Sequence, residues 1–139
     1  SLVGSEMCIR DRSRLDLEVI HRYLSHESYW AGGRARDVVQ RSIENSLCFG
    51  VHQGDELVGF ARVVTDYATF AWLCDVFVLD AHRGRGLGKW LIETVVDHPG
   101  LRGLKHFILA TRDAHGLYER YGGFERVVQT QNLMRRAVG

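Results

Sequence analysis

The run Cys74-Asp75-Val76-Phe77-Val78-Leu79-Asp80-Ala81-His82-Arg83-Gly84-Arg85-Gly86-Leu87-Gly88-Lys89-Trp90-Leu91 reads as a buried strand, a tight glycine-crowded turn and a helix. The first backbone N–H groups of such a helix have no intrahelical partner, and the macrodipole adds positive potential at the same place. Gly84, Gly86 and Gly88, at alternate positions, remove the side chains that would keep a phosphate away from those N–H groups. Arg83, Arg85 and Lys89 add formal positive charge. The turn is an anion site, and its expected occupant is a phosphorylated cofactor.

Spacing narrows the choice of cofactor. The nucleotide-triphosphate loop G-x-x-x-x-G-K-[ST] fails twice, because Arg83 stands five residues before Gly88 and Trp90 follows Lys89. The dinucleotide fingerprint G-x-G-x-x-G fails at Lys89, and no acidic ribose ligand ends a following strand at the expected distance. The pattern that fits is [QR]-x-x-G-x-[GA], as Arg83-Gly84-Arg85-Gly86-Leu87-Gly88, after an apolar strand and before an amphipathic helix. Further on, Thr111-Arg112-Asp113-Ala114-His115-Gly116-Leu117-Tyr118-Glu119-Arg120-Tyr121-Gly122-Gly123-Phe124 compares with N-x-x-A-x-x-L-Y-x-x-x-G-F. These two segments resemble motifs A and B of the GNAT superfamily of acyl-CoA-dependent N-acyltransferases. The likeness runs essentially from Leu15 to Phe124. It departs from the usual pattern where Asp113 stands near the usual Asn, where Gly116 sits one before Leu-Tyr, and where Gly123 reads as an inserted residue. The competing reading is a plain glycine turn with surface arginines.

With 139 residues, 45% of them hydrophobic and 25% charged, the chain has the balance of one globular domain. A net charge of +1 gives no global field to draw in nucleic acid or an anionic membrane. No apolar run approaches the roughly 20 residues of a membrane span, and no leader is recognisable, so a cytoplasmic protein is expected. Cys48 and Cys74 lie in strand-like runs without metal-ligand spacing, which predicts buried reduced thiols.

Ser1–Arg12, SLVGSEMCIRDR, has neither helical periodicity nor strand alternation. It reads as the translation of a transposon-end sequencing adapter, so residues 1–12 are set apart as non-native and 13–139 are taken as one N-acetyltransferase domain. From Asp16, a plausible N-cap, Leu17, Ile20 and Leu24 recur at helical spacing and predict a helix to about Glu27. Tyr29 and Trp30 follow on a loop that ends in Gly32-Gly33; such aromatics either line a pocket or lid the core. A second helix, about 34–45, should turn Val38, Val39 and Ile43 inward. Residues 47–64 alternate about the turn Gln53-Gly54-Asp55-Glu56 and predict a hairpin. Arg62, on the face of Phe60 and Val64, is either solvated or held in a cleft by a carboxylate. Phe70–Leu79 is almost wholly apolar, the mark of a central strand covered on both faces. Asp75 breaks that run, and a buried carboxylate must be paired or must serve chemistry. Leu87, Leu91 and Val95 form the buried stripe of the helix after the glycine turn, which stops at Pro99-Gly100. A further strand covers 104–110, and Val127-Val128 suggest a short one near the end.

The resemblance implies an α/β (α+β) fold with a mixed, mostly antiparallel central sheet flanked by helices and splayed at the acyl-CoA site. It implies transfer of an acetyl group from acetyl-CoA to a primary amine of a small molecule, with no metal, no nucleic acid and no membrane partner. Tyr118 would be the general acid and Asp75, or a water chain, the base, with His115 in reserve. Phe77, Val78 and Leu79, with Arg83, Gly84, Arg85, Gly86, Leu87, Gly88 and Lys89, would bind the cofactor. Tyr29, Trp30 and Arg62 would face the acceptor, with the Asp66-Tyr67 loop beside them. A non-catalytic acyl-CoA-binding regulatory module is the alternative, and a homodimer stays open.

Overall fold

The computed structural model describes residues 7–10, 14–128 and 130–137. Asp16 caps α1 (Leu17–His26), its Oδ1 accepting from the N–H groups of Glu18 and Val19 at 3.1 and 3.2 Å. The helix buries Ile20, Tyr23 and Leu24. α2 (Arg36–Glu44) buries Val39 and Ile43, one turn apart, whereas Val38 is 52% exposed. The expectation of three inward residues fails at Val38 because one step along a helix turns a side chain about 100° away.

β2 (Leu47–Gln53), β3 (Glu56–Thr65) and β4 (Phe70–Val78) pair antiparallel; β5 (His106–Leu109) joins β4 in parallel. A parallel pair needs a crossover, which α3 (Leu87–Val96) supplies. With β1 (Met7–Arg10) on the far side of β2, the sheet has five strands in chain order, mixed and mostly antiparallel as expected. α4 (His115–Gly122) follows β5.

The sheet separates two apolar layers. α1 and α2 cover one face with Cys48, Leu57, Phe60 and Phe77. α3, with Tyr118 from α4, covers the other with Val51, Val58, Val63, Ala71 and Leu73. Leu87, Leu91 and Val95 are buried as their spacing predicts, joined by Ile92.

Two sequence expectations change. Met7–Arg10, set apart above, pairs along Gln53–Gly50 of β2. An open sheet edge offers backbone N–H and C=O groups to a segment whatever its side-chain pattern, so absent alternation did not prevent pairing. Residues 1–6 and 11–13 lie outside the described residues. Val127 and Val128 form no strand and are 68% and 98% exposed, since the polar Gln131-Asn132 that follows gives no partner to pair with. The β3–β4 turn is tied by Asp66, which accepts from Thr69, Ala68 and Phe70; the hydrogen bonds from Thr69 hold its carboxyl well below the usual range.

Candidate active site

β4 is not a regular strand. Phe60 pairs with Phe77 and Arg62 with Cys74, so Asp75 and Val76 stand opposite Ala61 alone. This two-against-one bulge bends the strand and changes which face each later side chain takes. Ala71 and Leu73 therefore join the layer under α3, while Phe77, an even number of residues further on and so on the same face of a regular strand, joins the layer under α1 and stacks on Tyr23 at 4.1 Å. The apolar run looked like a strand covered evenly on both faces because the bulge conceals this switch.

Asp75 carries the bulge with φ +47°, a left-handed conformation that Asp adopts more readily than most residues. Its buried carboxylate is fully engaged. Oδ1 accepts from the Trp30 indole at 2.7 Å; Oδ2 accepts from Arg34 at 2.8 Å and Arg62 at 2.7 Å. Of the two readings left open for Arg62, the structure shows the held one. Trp30 is likewise a tied residue and not a loose lid. Three donors, two of them cationic, already hold the two oxygens of Asp75, which argues for structural pairing over the role of base. Two guanidinium groups on one carboxylate leave the cluster with a surplus positive charge.

β5 pairs with β4 only along Phe70–Leu73. Beyond Leu73 the strands part, and the gap between them is a cleft of about 930 Å³, the size of a cofactor or ligand site. β4 lines it from Trp72 to Val78, the α1–α2 loop contributes Tyr29 and Trp30, and the β5–α4 side contributes Arg112 and Tyr118. The Leu79 N–H donates to Val58 at 2.9 Å. Antiparallel pairing alternates, so Val78 directs its N–H and C=O away from β3 into the cleft, while Phe77 spends its own on the β3 ladder. Of the expected Phe77, Val78 and Leu79, only Val78 thus offers a free N–H.

At the head of α3, Gly84 and Gly86 have φ +79° and +77°, and no side chain caps the helix. Among the described residues, no hydrogen bond takes the N–H groups of Leu87, Gly88 or Lys89. A Cβ placed on Gly84 or Gly88 would meet nothing within 4 Å, so the glycines leave open space in front of those amides. Arg83 lines the cleft and is also engaged within the protein. Its guanidinium donates to the Val78 carbonyl at 3.1 Å and the Tyr23 hydroxyl at 2.9 Å, and pairs with Asp80 at 2.9 Å. It fastens the turn to β4 and α1. Arg85 lies against His82 at 3.2 Å, and the Lys89 ammonium rests 5.2 Å from the Tyr121 ring centroid.

Tyr118 packs edge-on to Phe124 at 6.0 Å and is 9% exposed. Among the described residues its hydroxyl has no protein partner, and no fully buried side-chain oxygen lacks one; the hydroxyl therefore meets the cleft. Burial, with smaller contributions from Tyr29 and Asp113, pushes its pKa up to about 12. Gly123, which looked like an insertion, is the left-handed C-cap of α4 at φ +71° and donates to the Tyr118 carbonyl.

The sequence profile of the acetyltransferase (GNAT) family matches residues 17–124. The chain belongs to this GNAT family. It is similar to a candidate acetyltransferase of Gibberella zeae, at 27% identity over 88% of this chain and 80% of that protein. Among solved structures it is similar to a candidate GNAT acetyltransferase of Xanthomonas campestris pv. campestris, with 50% identity, a TM-score of 0.91, and 98% and 96% of the two chains covered. Glucosamine-6-phosphate N-acetyltransferase of Arabidopsis thaliana shares the fold at 18% identity and a TM-score of 0.65, over 96% of this chain and 99% of that one. The chain is thus an acyl-CoA-dependent acetyltransferase.

As a GNAT enzyme, the protein brings the expected Tyr118, Val78, Gly88, Tyr29 and Trp30 to one cleft. The free amides at the head of α3 and the open space before Gly84 and Gly88 fit the diphosphate of an acyl-CoA. Leu87 serves through its backbone, since its side chain is core. Leu79 packs beside the α1 layer. His115 opens α4 away from the cleft lining, and the Asp66-Tyr67 turn lies by Gly100, beyond the opposite end of β4. Sequence reasoning missed Arg112. Its guanidinium lies 3.8 Å from the Tyr29 ring centroid, and its N–H donates to the Tyr29 hydroxyl at 2.9 Å. Its place directly after β5, at the strand end where α/β sheets gather ligands, was the available signal.

Proposed function

We propose that this GNAT acetyltransferase moves an acetyl group from acetyl-CoA to a primary amine of a small molecule by direct attack, with Tyr118 as general acid. The observation that carries this is the Tyr118 hydroxyl, free of protein partners among the described residues and open to the cleft. The thioester supplies an activated acyl carbon. An alkylamine carries a proton at neutral pH, with a pKa of about 10.4, and must lose it before it can attack. Asp75 is held by three donors, so that proton passes to solvent in the open cleft. The new N–C bond forms as the C–S bond breaks, and the sulfur leaves with the bonding pair. The Val78 N–H stabilises negative charge on the acyl oxygen. Tyr118 stays protonated throughout the neutral range and gives its proton to the departing sulfur; the attacking nitrogen, cationic once the N–C bond has formed, releases its second proton to solvent to leave the neutral amide, and solvent returns a proton to the phenolate.

The test begins with calorimetric titration of acetyl-CoA into wild type and Gly88→Glu. The substituted side chain would enter the open space before the α3 amides, and its carboxylate at a helix N-terminus favours the helix itself. Micromolar binding in wild type, with loss in a folded Gly88→Glu, is expected. Tyr118→Phe should keep that binding and lose about 10²-fold in thiol release with an amine acceptor. A folded wild type that does not bind acetyl-CoA would overturn the assignment, as would undiminished turnover in Tyr118→Phe.

A further inference from the structure

We infer that Arg112 forms an anion subsite on the acceptor side of the cleft, so that the acceptor is an amine that also bears a carboxylate or phosphate. This rests on the proposed transfer to an amine. The geometry begins with Tyr29, whose ring edge meets Trp30 at 5.1 Å between centroids, while the Trp30 indole is fixed on Asp75 at 2.7 Å. Tyr29 is therefore a braced surface. Arg112 lies on it, 3.8 Å from the centroid, and its backbone N–H holds the Tyr29 hydroxyl at 2.9 Å.

A stacked guanidinium uses its flat face and leaves the donors around its edge for other partners. Here those donors are uncommitted. The nearest carboxylate, Asp113, is 4.0 Å away, too long for a hydrogen bond, and both side chains are about two-thirds exposed at 66% and 67%. Asp75, held by two guanidiniums, anchors Trp30 and through it the Tyr29 ring on which Arg112 lies. A planar fork held by stacking, with its edge donors open to the cleft, suits bidentate recognition of a carboxylate or a phosphate. Arg83, the other arginine of the cleft, has its donors spent on Val78, Tyr23 and Asp80. The anion of the acceptor therefore goes to Arg112.

The experiment is calorimetric binding to protein saturated with CoA, using three matched probes: an amino acid, the amine obtained by removing its carboxylate, and an aminoalkyl phosphate. Wild type should bind at least one anionic probe about tenfold or more tightly than the plain amine, and the better of the two identifies the anion. Arg112→Ala should remove that preference and Arg112→Lys should restore part of it, with acetyl-CoA affinity changed less than about twofold in both variants. Equal or tighter binding of the plain amine, an unchanged preference in Arg112→Ala, or no binding of any probe by a protein that binds CoA would overturn the subsite. None of these outcomes counts against the transferase reading, which falls on failure to bind acetyl-CoA or on undiminished turnover in Tyr118→Phe, so the two failures are distinct.

Discussion

Asp75 accepts from donors 13, 41 and 45 residues away in the chain, and no local pattern could announce that convergence. What the sequence made visible was the anomaly itself, a carboxylate in an apolar strand; what it concealed was the solution, because the partners meet only once α1, α2 and the sheet are packed. Removing the carboxylate strands two guanidiniums at the edge of the core. Asp75→Ala should cost about 3–5 kcal/mol in urea unfolding. Asp75→Asn should cost less, since Asn tolerates the left-handed backbone at φ +47° and keeps an acceptor for Trp30. A loss within about 1 kcal/mol of zero for Asp75→Ala would contradict the clamp. Tyr118 makes a second prediction at this scale. Its phenol is raised from 10.0 to about 12, so the neutral form is favoured in the fold. The stability it contributes is complete below pH 10 and is lost as pH rises through about 12. Ultraviolet titration of phenolate should show a late-ionising tyrosine that disappears in Tyr118→Phe; loss of an early step instead would place that hydroxyl in water.

At the scale of elements, the parts that depend on neighbouring residues were legible. The Asp16 cap, the hairpin from β2 to β3, the stripe of α3 and the strand, glycine turn and helix around Gly84 all follow from short-range spacing. The parts that depend on long-range pairing were not. The bulge at Asp75-Val76 leaves no mark in an alternation of buried residues that simply continues through it. Arg83 is a related case: a basic residue beside a phosphate turn invites an outward reading, and spacing gives no sign that the carbonyl of Val78 and the hydroxyl of Tyr23, brought close by the fold, take its donors. β1 is the converse case, a segment with no pattern of its own that pairs because β2 presents an open edge.

At the scale of the molecule, one sheet holds two apolar layers apart, and the cleft opens where its single parallel pairing stops at Leu73 and Leu109. β4 is consequently a strand with a complete ladder on one side and half a ladder on the other. A ligand arm that carries amides of its own can take the place of the missing strand. The consequence is written in exchange rates. In the free protein the Val78 amide should trade its proton for deuterium quickly, while the Phe77 amide, sealed by β3, exchanges only when the sheet opens. Acetyl-CoA should slow Val78 and leave Phe77 almost unchanged, and a Val78 amide already slow without ligand would mean that this edge of the sheet is closed. A Val78 amide slowed by acetyl-CoA would mean that the donor does more than occupy a pocket: it finishes the folding of the central strand.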